Sequence, residues 1–439
     1  MSSRGSEEWR PCGSAASLLR DIQRGPVGSE PRELTKGDRI LFFTADDGVS
    51  GRELWKSSGS GGSGTRQVRD ILPGAGSSAP ASLAMVDDVL YFSADDGVSG
   101  RELWRSNGTR DGTRRVADLI TGPGSSDPDF LIEFDGRLYF SAEDGVNGRR
   151  LWTSDGTASG TRRVAVLDPP FEARSPSRLT RLNDEVFFFR TQRRDIADLW
   201  RSDGSDAGTF FLDTGPDGIS MLTPARDLLF YEGNNEGVEA LRRTDGTPEG
   251  TFPLTTGETT DLDEIEAVGR GVFFTQSSFG RAELWKSDGT LEGTTLVEPL
   301  DSDALHLTRL GSRVFFTVED AAHGRELWVS DGTATGTHLF KDLAPGTAGS
   351  TPEELTVLEG NLFFSAVTLE GGREPWVSDG TPAGTRPLRE IAPGGASSSP
   401  TGFILSGWDV FFSADDGTRG RELWALPFRP EDECDADAR

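Results

Sequence analysis

The residues most able to do chemistry in this 439-residue chain are paired acids that recur in one short pattern, Asp-Asp-Gly-x-x-Gly. The pattern sets Asp46 beside Asp47, Asp95 beside Asp96 and Asp415 beside Asp416, with Glu143 and Asp144 as a variant. Adjacent carboxylates before a glycine suit two roles. They can lend oxygens to Ca2+, which gathers six to eight at one point, so each loop would need a neighbour's help. They can equally close a hairpin, Asp accepting backbone N–H bonds while Gly takes a positive φ. These eight acids are the candidate binding residues, and Ca2+ is the one cofactor they suggest. Other constellations are poor. The three histidines, His306, His323 and His338, fall in one stretch but at a strand start, a rim loop and an outer strand. They do not supply the converging ligands of a zinc site. No Gly-Lys-Ser/Thr phosphate loop and no serine elbow occurs, and acids without a pocket do not make a glycosidase. No catalytic residue is assigned.

The positioning elements are short. Hydrophobic residues make up 34% of the chain and glycines number 55, so burial must come from brief strands between many turns. Acids outnumber bases 72 to 45, a net charge of −27, and no Lys/Arg stripe is present, which argues against nucleic acid. No apolar stretch reaches the roughly 18–20 residues of a membrane span, and Met1–Leu19 has neither the basic start nor the apolar middle of a signal peptide. The only cysteines, Cys12 and Cys434, stand near opposite ends without metal-ligand spacing, which points to a secreted or cell-surface protein in its mature form.

Tryptophans at 55, 104, 152, 200, 285, 328, 376 and 424, with Arg242 in the remaining slot, mark nine copies of one repeat. Copies begin near Pro31, Pro80, Pro128, Pro176, Ile219, Leu262, Ala304, Pro352 and Pro400. One copy reads as strands at Ser82–Val86, Val89–Ala94, Arg101–Ser106 and Thr113–Leu119, a four-stranded meander. Val89 and Tyr91 alternate with Leu90 and Phe92, so both faces of the sheet are apolar and need cover. Stacking such sheets around an axis supplies it, and a repeat of roughly 40–50 residues suits propeller blades. Ser17–Ile22 matches a fourth strand with no blade before it, while the last copy stops after Glu422–Leu426. The expectation is an all-β, single closed β-propeller of nine four-stranded blades over residues 17–426, the N-terminal strand completing the last blade. Residues 1–16 would be an extension and 427–439 an acidic tail. Closure brings the two ends together, so a Cys12–Cys434 disulfide is expected.

Arg-Glu-Leu-Trp followed by Ser-Asp-Gly-Thr-x-x-Gly-Thr, as at Glu326–Thr337 and with Pro for Leu at Glu374–Thr385, resembles the bacterial ELWxxDGT repeat family over nearly the whole chain. Departures are Arg150 and Asp198 for Glu, Arg242 for Trp, and Ser58-Gly59-Ser60 for Asp-Gly-Thr. The resemblance implies a surface or exported protein and no activity.

Three further expectations follow from the repeat. The Asp-Gly-Thr hairpins are structural turns. Connectors of the form Pro-Gly-x-x-Ser-Ser-x-Pro, as at Pro73–Pro80 and Pro393–Pro400, touch the Asp-Asp-Gly loops, and adjacent Arg-Glu pairs such as Arg101-Glu102 make ion pairs between blades. Copies four to six have lost both loop and connector, which marks either relaxed selection, the favoured reading, or the place where a specific site diverged. The leading functional expectation is a monomeric, exported, non-enzymatic scaffold for a protein or glycan partner. The alternatives are a carbohydrate-active enzyme with acids in the channel and a Ca2+-stabilised structural ring.

Overall fold

The computed structural model describes residues 9–12, 16–59, 64–164, 175–191, 196–217, 221–235, 238–255, 261–278, 281–368 and 371–436. Alternation of apolar residues and tight turns builds the second copy as Ala81–Val86, Val89–Asp95, Arg101–Ser106 and Arg114–Arg115, each strand antiparallel to the one before. The fourth strand is shorter than the sequence suggests, because past Arg115 the amides of Leu119 and Ile120 turn to the Glu102 carboxylate instead of a neighbouring strand. Nine such sheets make the chain a nine-bladed β-propeller. Five blades belong to one compact unit, Ser77–Asp303, and four to another formed by Met1–Gly76 with Ala304–Arg439.

The second strand of each blade is the buried one. Leu90, Phe92, Leu138, Phe140, Phe187 and Phe188 are fully covered, because a strand sandwiched between blades has no solvent face. Within the five-blade unit, Tyr139, Leu151, Leu179, Val186 and Phe188 join blades three and four, and Phe189, Leu199, Leu212, Leu229 and Tyr231 join blades four and five. Within the four-blade unit, Leu19, Ile22, Phe43, Trp55, Phe411 and Leu423 join blade nine to blade one.

That last contact is the closure. Blade nine holds Thr401–Ser406, Asp409–Asp415 and Arg421–Pro430, and Ser17–Leu18 adds its fourth strand by pairing with Ala425 and Trp424. Both expected end segments carry structure. The third strand runs past Leu426 to Pro430, Trp9–Pro11 pairs with its far half, and a short helix follows at Glu431–Ala436. Cys12 and Cys434 form a disulfide across this clasp, 422 residues apart in sequence.

Where their bonds are described, the repeated Arg and Glu hold backbone rather than pairing across blades. Side chains on neighbouring strand residues point to opposite faces, and here each captures backbone. Arg101 donates to Ala79 O at 2.8 Å, Arg373 to Thr351 O at 2.7 Å and Arg421 to Ser399 O at 2.8 Å, each holding the connector that enters its own blade. Glu102 holds the connector that leaves. It accepts from Leu119 N (3.0 Å), Ile120 N (3.4 Å), Ser126 N (3.2 Å) and Ser126 Oγ (2.6 Å). Glu326 does the same with Leu343, Ala344 and Ser350, and Glu422 grips Gln23 and Ser29 across the closure. Burial pushes the carboxyls of Glu102, Glu374 and Glu422 above the ordinary glutamate value, against the pull of these donors.

The Ser-Asp-Gly-Thr-x-x-Gly-Thr hairpin is used up by its own hydrogen bonds. In blade three Asp155 Oδ1 accepts from Thr157 N and Oγ1 at 2.9 and 2.7 Å, Gly156 N donates to Ser154 Oγ, and Ser154 Oγ meets Thr161 Oγ1 at 2.7 Å. A Cβ on Gly160 would stand 2.0 Å from the Asp155 carboxylate, so only glycine fits.

Candidate binding pockets on the first strands

The paired acids of the Asp-Asp-Gly loops are placed, but they are spent locally. Asp46 and Asp95 accept from Gly48 N and Gly97 N, and Asp415 from Gly417 N, at 2.7–2.8 Å. Asp47 accepts from Val49 N and Ser50 N, Asp96 from Val98 N and Ser99 N, Asp144 from Val146 N and Asn147 N, and Asp416 from Thr418 N and Arg419 N. Glu143 stands 3.8 Å from Arg149. Burial raises the second acid of each loop, yet the turn amides together outweigh it, and Asp47, Asp96, Asp144 and Asp416 lie below the usual carboxylate value. Among the described residues no group of three or more His, Cys, Asp or Glu is placed to hold a metal. The loops use these carboxylates to hold their own turns. They do meet the connectors: a Cβ on Gly100 would lie 2.5 Å from Gly124 O, and Arg101 N donates to Ser125 Oγ at 2.9 Å.

The histidines stay apart in role. His306 sits in a first strand, His323 bonds Asp320 through Nδ1 at 2.8 Å, and His338 opens a fourth strand on the surface.

A second feature repeats in backbone and varies in side chain. At the start of the first strand, pairing slips by the same three-residue step in seven blades, between Arg32/Thr35, Ala81/Ala84, Asp129/Ile132, Ser177/Thr180, Leu305/Thr308, Glu353/Thr356 and Thr401/Ile404, and by a shorter step at Leu262/Glu264 in blade six. In those seven the geometry is shared. Each of them holds one residue at positive φ: Glu33, Ser82, Phe130, Arg178, His306, Glu354 and Gly402, between 52° and 71°. Left-handed φ costs roughly 1 kcal/mol or more for a non-glycine residue. The bulge therefore belongs to the fold, and what differs from blade to blade is only the side chain it presents. The signal was present in sequence as Pro-x-X-Leu, at Pro128-Asp129-Phe130-Leu131 and Pro176-Ser177-Arg178-Leu179, a fixed frame around a varying third residue.

Two pockets form between these bulges, one in each unit. In the five-blade unit a pocket of about 330 Å3 lies across the first strands of blades three, four and five. Phe130, Ile132, Leu179 and Leu222 give it apolar walls, with Met221 at 44% exposure on the edge. Arg178 is its charge. Arg181, on the same strand, is paired with Glu133 at 2.9 Å, whereas Arg178 has no ion pair among the described residues. In the four-blade unit a pocket of about 350 Å3 lies between blades nine and one, around Glu33 and Gly402.

Copies four and five, where the motif degenerates, have their own packing solution. Arg242, in the tryptophan slot, donates to Asp213 Oδ2 at 2.6 Å, and the buried Tyr231 hydroxyl donates to the same oxygen. Gly233 makes the room, since a Cβ there would lie 2.3 Å from Arg242 Cδ. Burial, with the Asp213 charge second, drives the Tyr231 phenol well above its ordinary value.

No family model matches the chain, and no curated protein matches it by sequence. Solved structures do. A puromycin hydrolase is 15% identical with a TM-score of 0.40, covering 82% of this chain and 61% of that one. A Mycobacterium tuberculosis puromycin-hydrolyzing peptidase is 14% identical with a TM-score of 0.43, covering 82% and 60%. Oligopeptidase B from Leishmania major is 11% identical with a TM-score of 0.45, covering 81% and 54%. This chain thus spans less than two thirds of the length of each. The expectation of a binding scaffold for a protein or glycan partner does not stand against these peptidase neighbours and is withdrawn. At these identities and TM-scores their activity is not carried to this chain.

Proposed function

We propose that the first strands of blades three to five bind a short peptide through one apolar side chain and one carboxylate. The observation that carries this reading is Arg178: an exposed guanidinium without an ion pair among the described residues, held by a left-handed backbone beside the apolar wall of Phe130, Leu179 and Leu222. An unpaired cation over an apolar floor favours ligands that carry both a hydrophobic body and an anion. The site is preformed, since the bulge that aims Arg178 recurs in blades with quite different residues there.

The test compares acetyl-Leu-Phe as free acid and as amide by isothermal titration. The acid should bind the wild-type chain at least tenfold more tightly than the amide, and Arg178→Met should erase that preference without moving the melting temperature. Equal binding of acid and amide by the wild type would sink the reading.

The disulfide and the repeat motif support a second element of the proposal, that the chain works outside reducing compartments with the ELWxxDGT repeat proteins as its kin. Among the described residues no helix is long and apolar enough to cross a membrane.

A further inference from the structure

The pocket between blades nine and one has a different chemistry. Gly402 stands at the bulge where the other slipped blades carry side chains, so no side chain fills the space there. A Cβ on it would meet only Leu34 Cδ2, at 3.9 Å. On one side Glu354, the bulge residue of blade eight, accepts from Gly402 N at 3.0 Å, and on the other Glu33 is the bulge residue of blade one. Phe403, Ile404 and Leu34 form the apolar floor. Arg32, the cation of this pocket, stands 3.6 Å from Glu30.

Ser413 lies in the wall of this pocket, 1% exposed, and its Oγ has no hydrogen-bond partner among the described residues. In four other blades the matching hydroxyl bonds the first strand opposite, Thr44 to Arg32 O at 3.4 Å, Ser93 to Ala81 O at 3.3 Å, Thr317 to Leu305 O at 3.5 Å and Ser365 to Glu353 O at 3.4 Å, while Ser141 of blade three is left like Ser413. Buried hydroxyls rarely go unpaired without a reason.

We infer that this pocket is a second binding site, for an alkylammonium group. The alkyl chain lies on Phe403 and Ile404, the Glu33 and Glu354 carboxylates neutralise the ammonium, and Ser413 Oγ accepts one of its N–H bonds. The inference is independent of the peptide reading, since it uses other residues in the other unit.

The probe is n-pentylammonium, titrated by NMR against pentanoate as the control of opposite charge. The wild type should bind the ammonium and not the carboxylate. Glu33→Gln with Glu354→Gln should weaken binding at least tenfold, and Ser413→Ala about fivefold, the loss of one hydrogen bond. Gly402→Phe places in blade nine the residue that blade three already holds at this backbone geometry, and it should abolish binding. Arg178→Met should change nothing here. Circular dichroism melts keep folding defects apart from site defects, and the Gln pair, on the surface, is the variant least exposed to them. Equal affinity for pentanoate, or full affinity in the Gln pair or in Gly402→Phe, overturns the assignment, as does the absence of ammonium binding to the wild type.

Discussion

Glu102 shows how one side chain can hold a repeat together. With 0% exposure it gathers three backbone amides and one hydroxyl, and Glu326 repeats the arrangement. Replacing it with Gln turns one acceptor into a donor facing donors, at an expected cost of about 1–3 kcal/mol at pH 7. Its pH signature has a definite sign. Glu102, Glu374 and Glu422 have folded pKa values raised above the ordinary 4.5, so folding takes up protons just above that value and stability falls as pH rises through the window. The hairpin acids act oppositely. The hydroxyl and amide two residues ahead hold Asp155, Asp203 and Asp288 below the ordinary 3.8, so their contribution is present above that value and is lost as the pH falls below it. Urea midpoints should therefore climb as the pH falls towards 4.5 and collapse below 3.8, and Glu102→Gln should flatten the climb. A midpoint that falls steadily from pH 7 downward would refute the assignment of raised values to the buried glutamates. At this scale the sequence was half legible: the Asp-Gly-Thr turn could be read because its bonds are local, but the targets of Glu102 lie 17 to 24 residues away on a connector and could not.

Blades four and five show how an element survives the loss of its motif. The tryptophan slot holds Arg242, and the outer strand of the blade before it supplies Asp213, so an ion pair and the Tyr231 hydroxyl replace aromatic packing. Both charged side chains are largely covered, 10% and 15% exposed. Breaking such a pair from one side strands a buried charge, so Arg242→Met should cost roughly 3 kcal/mol, and Asp213→Asn in the same background should cost little more. Additive losses in that double-mutant cycle would mean the two residues act separately. Degeneracy in sequence pointed to this stretch, but the reason for it is a partner 29 residues upstream in a neighbouring sheet. The pockets obey the same limit. Each Pro-x-X-Leu frame could be recognised in sequence, whereas the neighbour of Phe130 is Arg178 only because the first strands of adjacent blades pack side by side.

For the whole molecule, closure rests on two devices in the same blade. Ser17–Leu18 completes the sheet and the Cys12–Cys434 bond clamps the ends beyond it. Cys12→Ser with Cys434→Ser should therefore lower stability by about 2–5 kcal/mol yet leave a folded propeller, while removing residues 1–22 takes Leu19 and Ile22 from the core between blades nine and one and should prevent cooperative unfolding altogether. Calorimetry of the two variants decides it; a Cys-free protein with no transition would show that the clamp, not the strand, closes the fold. Nine blades, the strand exchange and the pairing of Cys12 with Cys434 were all determined by the sequence alone, because a repeated strand-and-turn pattern carries its own register and the fragments at its two ends add up to one blade. The destination of each buried glutamate, the Asp213–Arg242 pair and the side chains that meet in the two first-strand pockets were decided only by the tertiary structure. They are contacts between residues brought together by the stacking of blades, and stacking leaves no local pattern in the chain.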